Sequence, residues 1–299
     1  IALSLVGSEM CIRDRIEDAA SRGLPVRAQA CGRPIGLMLG LNLTLNPFSG
    51  HPSYTEIADL TLEKRVSIMR NEDFKKKILS EECSSSNGLV KSIIRNIDNI
   101  YILDKIPDYE PHKETSLGSK AKKLNRDITD YIYDVLLEDD GNSLLYYPIG
   151  NYLDYSLEAS LEMISSDHTL LGLGDGGAHC STICDASFTT HMLTFWGRDR
   201  TRGKKLDLPW IIKSYSRDNA LAIGLDDRGL IKEGMKADIN IIDFDNLTLY
   251  SPEIRYDLPA GGKRLVQRVD GYKYTIVSGK VTYKDGVSTG ELPGKLIRS

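Results

Sequence analysis

At Gly224 the apolar residues of this chain change their period, and that switch limits the architecture more than any other feature. Upstream, apolar residues recur at helical spacing between short apolar runs. Downstream come short alternating runs such as "ADINIIDF" and "KYTIVSGKVTYKDG". A period near 3.6 and a period of 2 cannot share one element, so the two stretches must build differently. Upstream, "IEDAASRGLPVRAQACGRP" closes a helix at Gly23 and opens a strand from Val26 to about Cys31. The residues from Leu62 to Leu79 read as helix, and "NIYILDKI" as a strand ending near Asp104. "SLGSKAKKLNRDITDYIYDVLLEDDG" reads as two short helices stopped by Gly141. A helix over about Tyr155 to Ser165 then leads into the strand "TLLGLGD", and "LPWIIKSYSRDNALAIGL" is a helix pair closed by Gly224. Helix and strand in alternation specify an α/β class.

"GLMLGLNLTLNPFSGHPSYTEI" is rich in Gly, Pro and Asn and reads as a long loop of the kind that often carries function. Past Gly224, Ser278-Gly279 and Asp285-Gly286 are two-residue hairpin signals. The domain reading is therefore an α/β part over 16–224 and a small all-β part over 225–299. "IALSLVG" has no basic region before it and no small-residue cleavage site after it, so it does not read as a signal peptide. "SLVGSEMCIRD" resembles a translated sequencing adapter, and residues 1–15 are set aside as non-native.

With 41% hydrophobic and 27% charged residues, the composition is that of a globular protein. A net charge of -4 gives no electrostatic case for nucleic acid. No apolar run approaches the roughly 18 residues of a membrane span. Five scattered cysteines do not form a disulfide framework and suit a reducing, cytoplasmic compartment. Nothing in the sequence sets an oligomeric state.

The segment "TLLGLGDGGAH" admits three readings. Gly172, Gly174 and Gly177 fit G-x-G-x-x-G, the spacing of a phosphate-cradling turn. Asp175 stands inside that cradle, where a carboxylate would repel the anion. Asp175-Gly176 is also a common turn pair. The third reading is a parallel strand that ends in a working acid, the position where barrel enzymes keep their catalytic groups.

"GLGDGGAH", "FWGRDR", "DRGLIKEGMKADINIIDFD" and "GKRLVQRVDGYKYTIVSGKVTYKDGVSTGELPGKLIR" together resemble the amidohydrolase superfamily, from about residue 20 to the C-terminus. "GLIKEGMKAD" followed by "VSGKV" is the superfamily mark, and "STGELPGKLIR" points to the N-acyl-D-amino-acid deacylases. The resemblance implies a distorted TIM barrel flanked by a small β-sandwich. This chain would supply the C-terminal part of a (β/α)8 metallo-hydrolase barrel, its eighth strand included, and a share of the sandwich. It implies one or two divalent metal ions, usually zinc, held by a His-x-His and later ligands on earlier strands. No His-x-His occurs here, so the chain alone is expected neither to retain zinc nor to be active, and an open half-barrel should be poorly soluble or associate.

Asp175 matches the strand-eight aspartate, as metal ligand and catalytic acid–base. Zinc brings the pKa of its water towards about 7. A carboxylate beside it takes the proton as hydroxide attacks an amide and returns it to the leaving nitrogen. Arg198 is a candidate clamp for the substrate carboxylate, the alternative being surface pairing with Asp199 or Asp207; His179 and His191 are candidates to line the pocket, the alternative for His179 being a structural role in the loop. His51, in the proline-bounded loop, reads as a solvent-exposed histidine, the alternative being that it reaches the barrel mouth, and His112 and His168 read as surface residues. Asp238 and Asp243 read as turn caps. The implied partner is a small-molecule N-acyl amino acid. Rival readings are a cyclic-amide hydrolase of the hydantoinase type and a non-catalytic scaffold on the same fold.

Overall fold

A computed structural model describes residues 2–174, 176 and 179–297. The chain opens with helix α1 (Ala2–Ser21), strands β1 (Ala28–Ala30) and β2 (Ile35–Leu39), and helices α2 (Pro52–Ile57), α3 (Leu62–Met69), α4 (Glu72–Leu79) and α5 (Gly88–Arg95). It continues through β3 (Tyr101–Ile102), α6 (Leu117–Lys123), α7 (Ile128–Leu137), β4 (Leu145–Gly150), α8 (Glu158–Ile164) and β5 (Thr169–Leu171). Helix α9 (Phe188–His191) widens into π turns over Met192–Asp199. Helix α10 (Leu208–Lys213) runs on through a π stretch, Ser214–Asp218, into α11 (Asn219–Ala222). After Gly224 come only strands and turns: β6 (Ile239–Ile242), β7 (Thr248–Leu258), β8 (Gly262–Asp270), β9 (Tyr272–Val277), β10 (Lys280–Lys284) and β11 (Val287–Ser288). The fold is mixed α/β.

Three local readings need correction. The expected loop after Arg33 contains β2, which sits at the edge of the antiparallel sheet β2-β4-β3. Leu37 and Leu39 face one apolar cluster, with Phe48, Met69 and Leu145, while Met38 faces another, with Tyr109 and Tyr146. A strand buried on both faces shows no alternation, so its sequence carried no period of two. Gly36 is required there, because a Cβ would lie 2.0 Å from the Tyr146 ring. The helix from Leu62 to Leu79 is broken in two at Asn71, whose side chain accepts from the N–H groups of Asp73 and Phe74. Asn71→Ala is expected to cost about 1 kcal/mol of stability in a denaturant titration. The helix pair after Leu208 is one uninterrupted helical run, since π turns absorb the irregular spacing.

The hairpin signals behave as their chemistry dictates. Ser278 and Gly279 have φ of 51° and 78°, and Asp285 and Gly286 have 46° and 78°. Positive φ at both central residues is the turn that matches strand twist. These turns join β9, β10 and β11 in the antiparallel sheet β11-β10-β9-β6. Asp238 accepts from the Ser278 N–H at 2.9 Å, and Asp243 accepts from Asn246. The β7–β8 hairpin forms a separate ribbon that reaches back, packing Leu249 and Leu265 onto Met38, Tyr109, Tyr146 and Cys184.

Strands β1 and β5 pair in parallel, with Ala28 opposite Thr169 and Ala30 opposite Leu171. Behind them Ala30, Leu157, Ile164, Leu171, Met192 and Trp196 form one apolar cluster. Trp196 is fully buried and its indole N–H donates to the Gly32 carbonyl at 2.5 Å. The C-terminal ends of β1 and β5 therefore open side by side.

Candidate active site

From β5 the backbone leaves through Gly172, whose N–H donates to the Ala30 carbonyl at 3.0 Å, and then Leu173, at a φ of 66°. Gly174 lies against Phe188, where a Cβ would be 2.2 Å from the ring. Asp175, the residue on which the sequence reading places both metal binding and proton transfer, lies outside the described residues, as do Gly177 and Ala178. Residues 179–187 are turns and irregular backbone, and the next helix starts only at Phe188.

Strand β1 leads into Cys31, Gly32 and Arg33, and Arg33 organises a buried polar cluster. It is 1% exposed, and its guanidinium donates to the Asp185 carboxylate and, at 2.7 Å, to the Cys184 carbonyl. It also donates to the Ser187 hydroxyl at 3.2 Å and lies 4.2 Å over the Tyr109 ring. Burial opposes the Arg33 charge, while Tyr109 and Asp185 beside it more than offset that, so the group is held charged. Gln267, from β8, accepts from Ser187 and donates to the Tyr109 hydroxyl at 3.0 Å. The cluster thus joins the ends of β1, the turn after β5 and the β7–β8 hairpin. Burial pushes the Cys184 thiol up to about 11, so it is a packed thiol rather than a nucleophile at neutral pH.

His191 is drawn into this cluster. It is 3% exposed, stacked on Phe195 at 4.7 Å and edge-on to Tyr109 at 5.4 Å, and its Nε2 has no partner. Burial, and then the nearby Arg33 charge, lowers its pKa well below the usual histidine value. His51 is also buried rather than solvent-facing; it packs on Phe48 at 5.2 Å, and burial lowers its pKa too. Below about pH 6.5 the unfolded chain takes up protons that these rings refuse when folded. Stability is then complete above the unfolded value and falls as pH drops from 7 towards 5. Chemical denaturation across that range is expected to show the slope, up to about 1.4 kcal/mol per pH unit for each histidine. His191→Phe, which keeps the stack, should remove that histidine's share of the slope and leave the share of His51.

The remaining candidates fall elsewhere. The Arg198 guanidinium is occupied by both Asp199 oxygens at 2.7 and 2.9 Å and by the carbonyls of Phe244, Asp245 and Leu247. It fastens the π turns to the loop before β7, and a substrate carboxylate would have to displace those bonds. His179 is exposed, at a φ of 55°, and its carbonyl accepts from Thr182 and Ile183. His112 is exposed, and His168 is partly covered, 3.0 Å from the Arg27 guanidinium. Sequence reasoning missed Arg33, Asp185 and Gln267. The only local hint was an arginine between Gly32 and Pro34, just past a strand.

Among the described residues, no group of three or more His, Cys, Asp or Glu side chains is placed to hold a metal ion. The described part of the site therefore does not supply a ligand set for zinc.

Residues 142–283, from just before β4 to within β10, match the model of the amidohydrolase family. This stretch, somewhat under half of the chain, is what is similar to the family. Two solved structures similar to the chain are D-aminoacylases. One concerns the functional role of that enzyme's binuclear metal centre, with 18% identity and a TM-score of 0.35 over 64% of this chain and 36% of its own. The other is described as defining a novel subset of amidohydrolases, with 17% identity and a TM-score of 0.34 over the same shares. The chain thus spans little more than a third of their length. No curated protein matches.

Proposed function

We propose that these residues belong to a hydrolase of non-peptide C–N amide bonds that removes the acyl group from N-acyl-D-amino acids. The observation that carries the reading is the amidohydrolase match over 142–283, which spans the strand leading to Asp175. The branch is read from the motif "STGELPGKLIR". In this reading β1 and β5 are neighbouring strands of a (β/α)8 barrel and the strands after Gly224 belong to its β-sandwich, with domains over 16–224 and 225–299.

Asp175 is the acid–base. Its carboxylate accepts a proton from the attacking water and returns it to the departing nitrogen, which would otherwise have to leave as an amide anion. Zinc, which the family resemblance implies, finds no ligand set among the described residues. In this reading Arg33 and Asp185 act as positioning residues, bracing the turn that follows β5.

The test is hydrolysis of N-acetyl-D-methionine by the polypeptide encoded by the genomic reading frame that contains these residues, with divalent metal added. Release of acetate and free D-methionine is expected. Turnover of dihydrouracil in its place would move the enzyme to the cyclic-amide hydrolases. Turnover of neither would remove the deacylase reading.

A further inference from the structure

Strands β2 and β8 each border a sheet, and the same three residues cover both borders. Among the described residues β8 pairs only with β7, and β2 is the outer strand of β2-β4-β3. A strand edge left open carries N–H and carbonyl groups without partners. Residues 180–182 fill the space between these two edges. The Cys180 carbonyl accepts from the Leu265 N–H of β8 at 2.7 Å, and the Thr182 carbonyl accepts from the Met38 N–H of β2, also at 2.7 Å. The Ser181 hydroxyl donates to the Lys263 carbonyl at 3.3 Å. The segment between β5 and Phe188 is therefore tied on both sides, although residues 179–187 form no helix or strand of their own.

Gln267, two residues beyond Leu265 on β8, closes the same seam with its side chain. Its oxygen accepts from the Ser187 hydroxyl and, at 3.9 Å, from the Cys184 thiol. Its nitrogen donates to the Tyr109 hydroxyl at 3.0 Å and to the Tyr250 carbonyl at 2.7 Å. A side-chain amide offers two donors and an oxygen with two lone pairs, so all four positions are used. The Tyr250 carbonyl decides which way round the amide sits, because the flipped group would set oxygen against oxygen. Ser187 also accepts from Arg33, so Gln267 links the β7–β8 ribbon to the buried Arg33–Asp185 pair.

We propose that Gln267 is a positioning residue through which the ribbon clamps the segment between β5 and Phe188, the segment that contains Asp175, in one conformation. The catalytic part of this role rests on the deacylation proposed above. The clamp itself rests on the hydrogen bonds alone. Without the amide, Ser187 loses an acceptor, and the Tyr250 carbonyl and Tyr109 hydroxyl lose a donor. The segment then keeps its backbone ties to Leu265 and Met38 but no side-chain tie from Gln267 to the Arg33 cluster.

Amide hydrogen exchange of the folded chain and kinetics of the polypeptide encoded by the genomic reading frame test the two parts separately. Gln267→Leu should speed exchange at Thr182, Ile183 and Phe188, whose N–H groups bond within the segment, and leave α7 as it was. It should lower kcat for N-acetyl-D-methionine by about 10²-fold, the cost of a misplacement of about 1 Å, with KM nearly unchanged. Gln267→Glu keeps an acceptor for Ser187 but, when ionised, offers no donor to the Tyr250 carbonyl. Protonation restores that donor, so its kcat relative to the parent should climb as pH falls, whereas the Gln267→Leu ratio should stay flat. Arg255→Gln, which breaks an exposed pair with Glu253 on β7, should change neither exchange nor kcat. Unchanged exchange in Gln267→Leu, or an equal rise in Arg255→Gln, would overturn the clamp. Faster exchange with the kcat of the parent would overturn the positioning role. A parent without turnover would remove the deacylase reading and the positioning role with it, while exchange would still decide the clamp.

Discussion

Asp185→Ala is expected to destabilise the folded chain by about 3–5 kcal/mol, well beyond the effect of an ordinary point substitution. The cost is not the value of the ion pair itself, which desolvation largely offsets. It arises because Arg33 would remain charged, 1% exposed, and without its carboxylate. The Ser187 hydroxyl and Cys184 carbonyl would still accept from it, which keeps the cost below that of an isolated buried charge. Replacing both partners by apolar residues of similar volume, Arg33→Met with Asp185→Leu, should recover much of the loss. Urea titrations of the single and double variants decide the matter. A single variant within about 1 kcal/mol of the parent would mean that Arg33 finds another partner or water, and the cluster would lose its role in holding the turn after β5.

If the proposed deacylase reading holds, Asp175→Asn in the polypeptide of the reading frame that contains these residues lowers kcat for N-acetyl-D-methionine by about 10²–10⁴-fold, the usual worth of a positioned acid–base. Asparagine keeps the shape and the capacity to accept a hydrogen bond, but it cannot shuttle a proton. Thermal stability should change little, which separates a chemical role from a structural one. The pH–rate profile adds a second check, since the limb belonging to the base should vanish in the variant. An asparagine enzyme with undiminished kcat would leave Asp175-Gly176 as no more than a turn.

How much could be read in advance depended on how local the signal was. The turns at Ser278-Gly279 and Asp285-Gly286 were legible because two adjacent residues carry the whole requirement, positive φ at both central positions. Gly23 and Gly141 were legible for a similar reason, each with a positive φ where a helical stretch ends. Strand β2 was not, since both of its faces are covered and its glycine answers to Tyr146, more than a hundred residues away. His51 and His191 read as polar residues free to meet solvent or substrate, but their aromatic neighbours Phe48, Tyr109 and Phe195 enclose them. The Arg33–Asp185 pair spans 152 positions, and no window of sequence holds both partners. The candidate acid was found from a motif, whereas the groups that brace its surroundings became visible only in three dimensions.

The β7–β8 ribbon has a consequence for how the protein is made. Met38, Tyr109 and Tyr146 are translated long before Leu249, Leu265 and Gln267, the residues that later cover them. A nascent chain emerging from the ribosome must therefore keep that apolar surface uncovered for the time it takes to add well over a hundred amino acids. During that interval a chaperone, or a neighbouring nascent chain, competes for the place of the ribbon. Stalling translation just before Thr248 is the condition under which this competition should be easiest to detect.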